Sequence, residues 1–187
     1  MAEQRKYTRT TKSAVKSKPV DEYGHLQPQA IDFEEAVLGA LMIEKDAYSI
    51  VSEILRPETF YDHKHQLLYK AITTLAMRQQ PIDISTVAEQ LRSTGELEEA
   101  GGPFYITQLS GKVASSAHIE YHARIIAQKF LARELITFTS NIQTKAFDAT
   151  QDVDDLMQEA EGKLFEISQK NMKKDYTQIN PVIKQAY

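Results

Sequence analysis

Ala117 to Phe147 reads AHIEYHARIIAQKFLARELITFTSNIQTKAF, a stretch without Gly or Pro. Leu131, Leu135, Phe138 and Ile142 step through it by 4, 3 and 4, the seam of a helix that packs against another helix. A polar break with turn-forming residues follows at Asp148 to Asp152. Val153, Leu156, Met157, Ala160, Leu164 and Ile167 then repeat the pattern. Two helices joined by so short a break fold back on each other as an antiparallel hairpin. The first arm is about 45 Å long at ~1.5 Å per residue, more than the segment before it can cover. An arm that projects meets another subunit or a partner, which points to assembly rather than to chemistry. On the same pattern, Leu164→Asp is expected to unfold the hairpin by burying a charge.

Working back from the hairpin, shorter amphipathic segments fill the region before it. Asp32 to Ile43 reads as a helix with Phe33, Val37, Ala40 and Leu41 on one face. Asp46 is placed to cap a second helix running to Leu55, which Pro57 ends. Asp62 is placed to cap a third, to about Arg78, with Leu67, Leu68, Ile72 and Leu75 inward. Asp83 heads a fourth with Ile84, Val87, Ala88 and Leu91 in register, and Gly95 closes it in a left-handed conformation. Pro103 starts a short helix through Leu109 that Gly111 ends, and Ser115 or Ser116 caps the long arm. No stretch shows sustained strand alternation. The expected fold is all-α, a compact helical globule (28–114) followed by a long hairpin (115–170).

The flanks read differently. Residues 1–27 form a tail, whose first 20 residues hold six basic residues and one acidic one, giving +5 within a chain of net charge −4. The rest is therefore acidic, a poor platform for a phosphate backbone. The tail has few apolar residues and is expected to be disordered. Residues 171–187 read as a polar linker and the start of a further helix at Pro181, with Val182, Ile183 and Ala186 beginning an apolar pattern. A helix cut so early cannot bury its face. The chain is thus expected to be a fragment whose parent continues past Tyr187.

Chemistry finds little support. Zero Cys excludes disulfides and thiolate metal sites. There is no run of 18 apolar residues to span a membrane. Ser110-Gly111-Lys112-Val113 resembles the end of a phosphate-binding loop, but the pattern Gly-x4-Gly-Lys-Ser/Thr would need Gly where Ile106 stands and Ser or Thr where Val113 stands. His118 and His122 sit at i, i+4 without the intervening Glu of the zinc-protease helix. His63 and His65 flank Lys64, and packing or local hydrogen bonding accounts for them better than metal ligation. Two rival readings remain: a nucleic-acid-binding module acting through its basic tail, and a small metal-dependent hydrolase using the four histidines.

Five collinear stretches carry a resemblance: Gln29 to Met42; Ile54 to Tyr61 with His65 following; Pro81-Ile82-Asp83 with the run to Leu91; Gly95 to Gly102 with Tyr105; and Ser115 to Ile126. In this order they resemble the N-terminal domain of DnaB-type bacterial replicative helicases, over about residues 27–170. Gln27, Asp32-Phe33, His118 and His122 depart from the family's usual residues. The resemblance implies a helical globule plus hairpin that pairs with itself. Three such pairs form a collar on a hexameric ring in the bacterial cytoplasm. It implies docking of the C-terminal domain of a DnaG-type primase, with a helicase loader as a further partner. It places ATP and magnesium in a C-terminal ATPase domain that this sequence lacks, so this chain is expected neither to hydrolyse ATP nor to unwind DNA. DNA would be met only through the parent assembly. Asp32, Tyr105, Tyr121, His122 and Ile136 are the candidates for the primase-facing surface. Leu131, Leu135 and Ile142 stand open between packing within the hairpin and contact between subunits.

Overall fold

The structure is a computed structural model that describes residues 26–112 and 118–172. Its helices are α1 (Ile31–Leu41), α2 (Ala47–Val51), α3 (His63–Met77), α4 (Ile84–Thr94), α5 (Gly102–Ser110), α6 (Ile119–Ala146) and α7 (Val153–Met172), with a 3-10 turn at Pro57–Thr59. There is no β-strand among the described residues.

Local chemistry starts and stops these helices where the sequence leads one to expect. The Asp62 carboxylate accepts from the Lys64 amide at 2.9 Å and opens α3. Asp83 accepts from the amides of Ser85 (2.8 Å) and Thr86 (2.9 Å). The Thr86 hydroxyl accepts in turn from the Asp83 amide at 2.9 Å, a reciprocal cap that satisfies donors with no partner inside the helix. Gly95 ends α4 at φ 74°.

The second helix departs from expectation. It stops at Val51, and the Asp46 side chain makes no cap bond. Instead the Asp46 carbonyl accepts from the Ser49 hydroxyl at 2.7 Å. Pro57 does more than end a helix. It forces Arg56 into an extended conformation and begins the 3-10 turn.

α1 runs through the middle of the globule and packs against α3, α5 and α6. Val37, Leu38 and Leu41 meet Leu68 and Ile72 of α3, Leu91 of α4, and Ile106 and Leu109 of α5 in one core. Tyr69 is buried with them, and its hydroxyl donates to the Leu55 carbonyl at 3.3 Å. Burial pushes that phenol well above the usual tyrosine range.

α6 belongs to two structures at once. Ile119, Ala123, Ile126, Phe130 and Arg133 step by 4, 3, 4 and 3. The first three are buried in the globule. The second stripe, Leu131 to Ile142, lies roughly 130° around the helix from the first at about 100° per residue, and it turns toward α7. The return is made by Asp148, which accepts from Thr150, and by Asp152, which accepts from the Asp154 amide and opens α7. Lys145 pairs with Glu159 at 2.5 Å and ties the arms together in antiparallel order. Of α7, Leu156 and Ile167 are buried.

Leu164 is corrected by the structure. It is 52% exposed, so an Asp there would keep much of its hydration, and the hairpin should not unfold for lack of it. Residues 1–25 of the tail, the Ser115 or Ser116 cap and the linker from 173 onward lie outside the described residues. α6 itself opens at Ile119 with His118 before it.

Candidate functional site

One polar construction lies inside the globule, a second ties the hairpin to it, and an apolar surface lies beyond them. The first is buried. Glu34, on the core face of α1, accepts from the Tyr61 amide at 2.7 Å and from the His65 ring Nδ1 at 2.7 Å. The Asp62 amide lies 3.4 Å from Oε2, the oxygen that His65 also meets. His65 Nε2 lies 2.6 Å from the Tyr105 hydroxyl. The ring thus bridges the Glu34 carboxylate and the Tyr105 hydroxyl through its two nitrogens. The Tyr105 oxygen is 3.5 Å from Glu35, and Glu35 pairs with Lys112 at 2.5 Å. Burial, followed by the charge of Glu35 and Asp62, raises the Tyr105 phenol above its ordinary range. His65 and Glu34 are closed off from solvent, so no substrate reaches them. The network joins α1, α3 and α5, and its hydrogen bonds satisfy groups that would otherwise destabilise the core. Gly101 sets its geometry. At φ 101° it leaves space for the Tyr105 ring, whose Cδ1 would lie 2.7 Å from a Cβ there.

The second construction is Arg133. Its guanidinium donates to the carbonyls of Pro28 and Thr59, each at 2.8 Å. It lies over the rings of Tyr61 (5.4 Å) and Phe130 (5.6 Å). Burial lowers its pKa, against the opposing pull of the Glu34 charge.

Beyond Arg133 the hairpin presents apolar atoms to its surroundings. Phe138, Ile142, Met157, Ala160 and Leu164 line a groove of about 390 Å³ between α6 and α7, with Thr139, Gln143 and Glu161 at its edges. Leu135, Ile136, Val153 and Phe165 are exposed elsewhere on the hairpin. Ile136 lies on neither stripe of α6 and is 43% exposed.

The candidate residues thus fall in three places. Asp32 is exposed at the start of α1, and the neighbouring Phe33 packs on His122 with ring centroids 5.0 Å apart, so α1 and the base of α6 form one surface. Tyr121 stands exposed beside His122. Burial, with the nearby His118, lowers the His122 pKa. Leu131, Leu135, Ile136 and Ile142 lie further out on the hairpin. Tyr105 is apart from both groups, half-buried with its hydroxyl turned into the Glu34 network.

The four candidate histidines do not converge. His63 faces Glu99 at 3.0 Å, His65 is enclosed in the network, and His118 and His122 sit at the base of α6. Among the described residues no three His, Cys, Asp or Glu side chains could hold a metal. Lys112 turns back to Glu35 rather than toward a phosphate cradle. No helix among the described residues is long and apolar enough to cross a membrane.

Glu34 and Arg133 were the residues sequence reasoning passed over, and both had a signal. Glu34 heads the run Val37, Leu38 and Leu41 at i+3, i+4 and i+7, a carboxylate in a core register. Arg133 ends the globule-facing stripe of α6.

Fold and surface together define an all-helical domain with a hairpin whose outer apolar face stands open. Residues 26–128 match the family model for the DnaB-like helicase N terminal domain, and the chain belongs to that family. The chain is 43% identical over 163 residues to the replicative DNA helicase DnaB of Rhodothermus marinus, covering 87% of this chain and 17% of that protein. It is 37% identical over 162 residues to the replicative DNA helicase DnaC of Bacillus subtilis, covering 87% and 36%. The chain therefore spans about a third or less of these relatives. In structure it is similar to the N-terminal domain of DnaB helicase from Mycobacterium tuberculosis, with a TM-score of 0.71 at 34% identity, covering 75% of this chain and 98% of that one. It is also similar to a DnaB-like replicative helicase described with its interactions with primase, with a TM-score of 0.62 at 28% identity, covering 74% and 30%.

Proposed function

We propose that this chain is the assembly and partner-docking domain of a replicative DNA helicase. It pairs with a second copy through the hairpin, and in the parent hexamer three pairs form a collar. It receives the C-terminal domain of a DnaG-type primase, and a helicase loader is a further partner. Unwinding, ATP and magnesium belong to a separate ATPase domain of the parent, and DNA is met through that assembly.

One observation carries this reading. The distal half of α6 and most of α7 expose Leu135, Ile136, Met157, Leu164 and Phe165, and Met157 and Leu164 line an apolar groove between the two helices. Apolar surface of this kind on a projecting element favours cover by another polypeptide. The family and the similarity to a helicase described with primase supply the kind of partner. The reading as a nucleic-acid module rests on the tail alone, and the metal-hydrolase reading has no converging ligands behind it among the described residues.

Calorimetric titration of the chain with a cognate primase C-terminal domain tests the proposal. Ile136→Asp should weaken binding by about tenfold or more, roughly 1.4 kcal/mol, with the helical circular dichroism unchanged. Undiminished binding, together with unaltered self-association, would remove Ile136 from the interface, and no binding by the unaltered chain would overturn the primase partner.

A further inference from the structure

We infer that Arg133 is the positioning residue that fixes the direction in which the hairpin leaves the globule. The inference rests on the reading above only for what that direction is for.

The apolar footing of α6 is short. Ile119, Ala123 and Ile126 are buried, and Phe130 is half-buried. Arg133 lies about 10 Å beyond Ile126 along the helix, and the tip at Ala146 another ~20 Å beyond Arg133, at 1.5 Å per residue. A swing of about 10° on the apolar footing alone would move the tip by roughly 5 Å over that ~30 Å lever. Apolar packing is non-directional and resists such a swing weakly. Hydrogen bonds are directional, and these two act at the far end of the footing, where they resist it best.

The anchor points suit this work. Pro28 lies in the segment entering α1, and Thr59 ends the 3-10 turn, so the two carbonyls come from separate parts of the globule. Neither belongs to an α-helix. The Thr59–Asp62 segment is itself held, because buried Glu34 accepts from the Tyr61 amide. The Tyr61 ring lies under the guanidinium. A planar fork of fixed geometry meeting two carbonyls at once defines an angle, whereas a lysine ammonium is a single point on a flexible stem. Arg133 therefore converts the rigidity of the Glu34 network into a fixed bearing for the hairpin.

The native sequence has no Cys, so Phe104→Cys with Phe147→Cys places two spin labels cleanly. These residues are 81% and 83% exposed, on α5 and at the hairpin tip. Labelled 187-residue chain, diluted into an excess of unlabelled chain, reports the distance within one molecule by double electron–electron resonance. The parent should give one narrow distribution. Arg133→Met should at least double its width, and Arg133→Lys should fall between them. A variant that melts lower yet keeps the narrow distribution would overturn the inference and leave Arg133 a stabilising residue only. Should Arg133→Met fail to fold, Arg133→Lys decides alone, broadened for the inference and unchanged against it. The distance is read within a single chain, so it can fail while partner binding holds, and hold while partner binding fails.

Discussion

Phe60 and Ile142 are both large apolar residues that a hydropathy pattern would send inward, yet one is enclosed and the other lines an open groove. The difference separates the two halves of the molecule. In the globule, five helices supply each other's cover, and Leu38, Leu68, Ile72 and Ile106 have no exposed surface. In the hairpin two helices meet along one line. A pair of helices has too little mutual surface to enclose two apolar stripes, so Met157, Leu164 and Phe165 stay outside. The globule folds to bury its own residues. The hairpin keeps an apolar face to offer.

The largest expected effect that would sharpen this contrast is Glu34→Ala. It leaves the Tyr61 amide and the buried His65 ring without their acceptor and should cost about 3–5 kcal/mol, read as a shift of the urea midpoint. Gly101→Ala should cost about 2–3 kcal/mol, since an L-residue is strained at this φ and its Cβ would displace the Tyr105 ring. Leu164→Asp in the hairpin should cost under about 1 kcal/mol. If it proves as damaging as the globule variants, the hairpin is a packed unit and the contrast fails.

The smallest effect concerns pH. The folded-state pKa of His122 lies below its ordinary 6.5, through burial first and the nearby His118 second. The unfolded chain then takes up the proton first, so stability is complete above about pH 6.5 and declines as pH falls toward the folded value. Denaturant midpoints at pH 7.5 and 5.5 should differ in that sense. His122→Phe, which keeps a ring against Phe33 without a titrating group, should narrow the difference. A wild-type midpoint that rises on acidification would contradict the assignment.

Much of this was legible in the chain because it is local. Asp62, Asp83, Gly95 and Pro103 act on their own neighbours, and each sits where its helix begins or ends. The stripes on α6 and α7 are periodic, and the hairpin follows from their spacing. The second helix was read too long because Leu55 fits a helical register, while the extended residue before Pro57 is a steric matter the register does not carry. Periodicity also overstated burial at Leu164, since it names a face without saying what covers it. In sequence Tyr105 is a candidate for the primase-facing surface; its partners lie 40 and 70 residues away, and only the fold turns its hydroxyl toward His65 and Glu35.

Sedimentation velocity across a concentration series tests the central claim most directly, with wild-type chain and Ile142→Asp run side by side. The account predicts that the wild-type coefficient rises with concentration, while the variant, equally helical, stays monomeric. A wild-type chain that remains monomeric throughout, or a variant that associates as well as wild type, would contradict it.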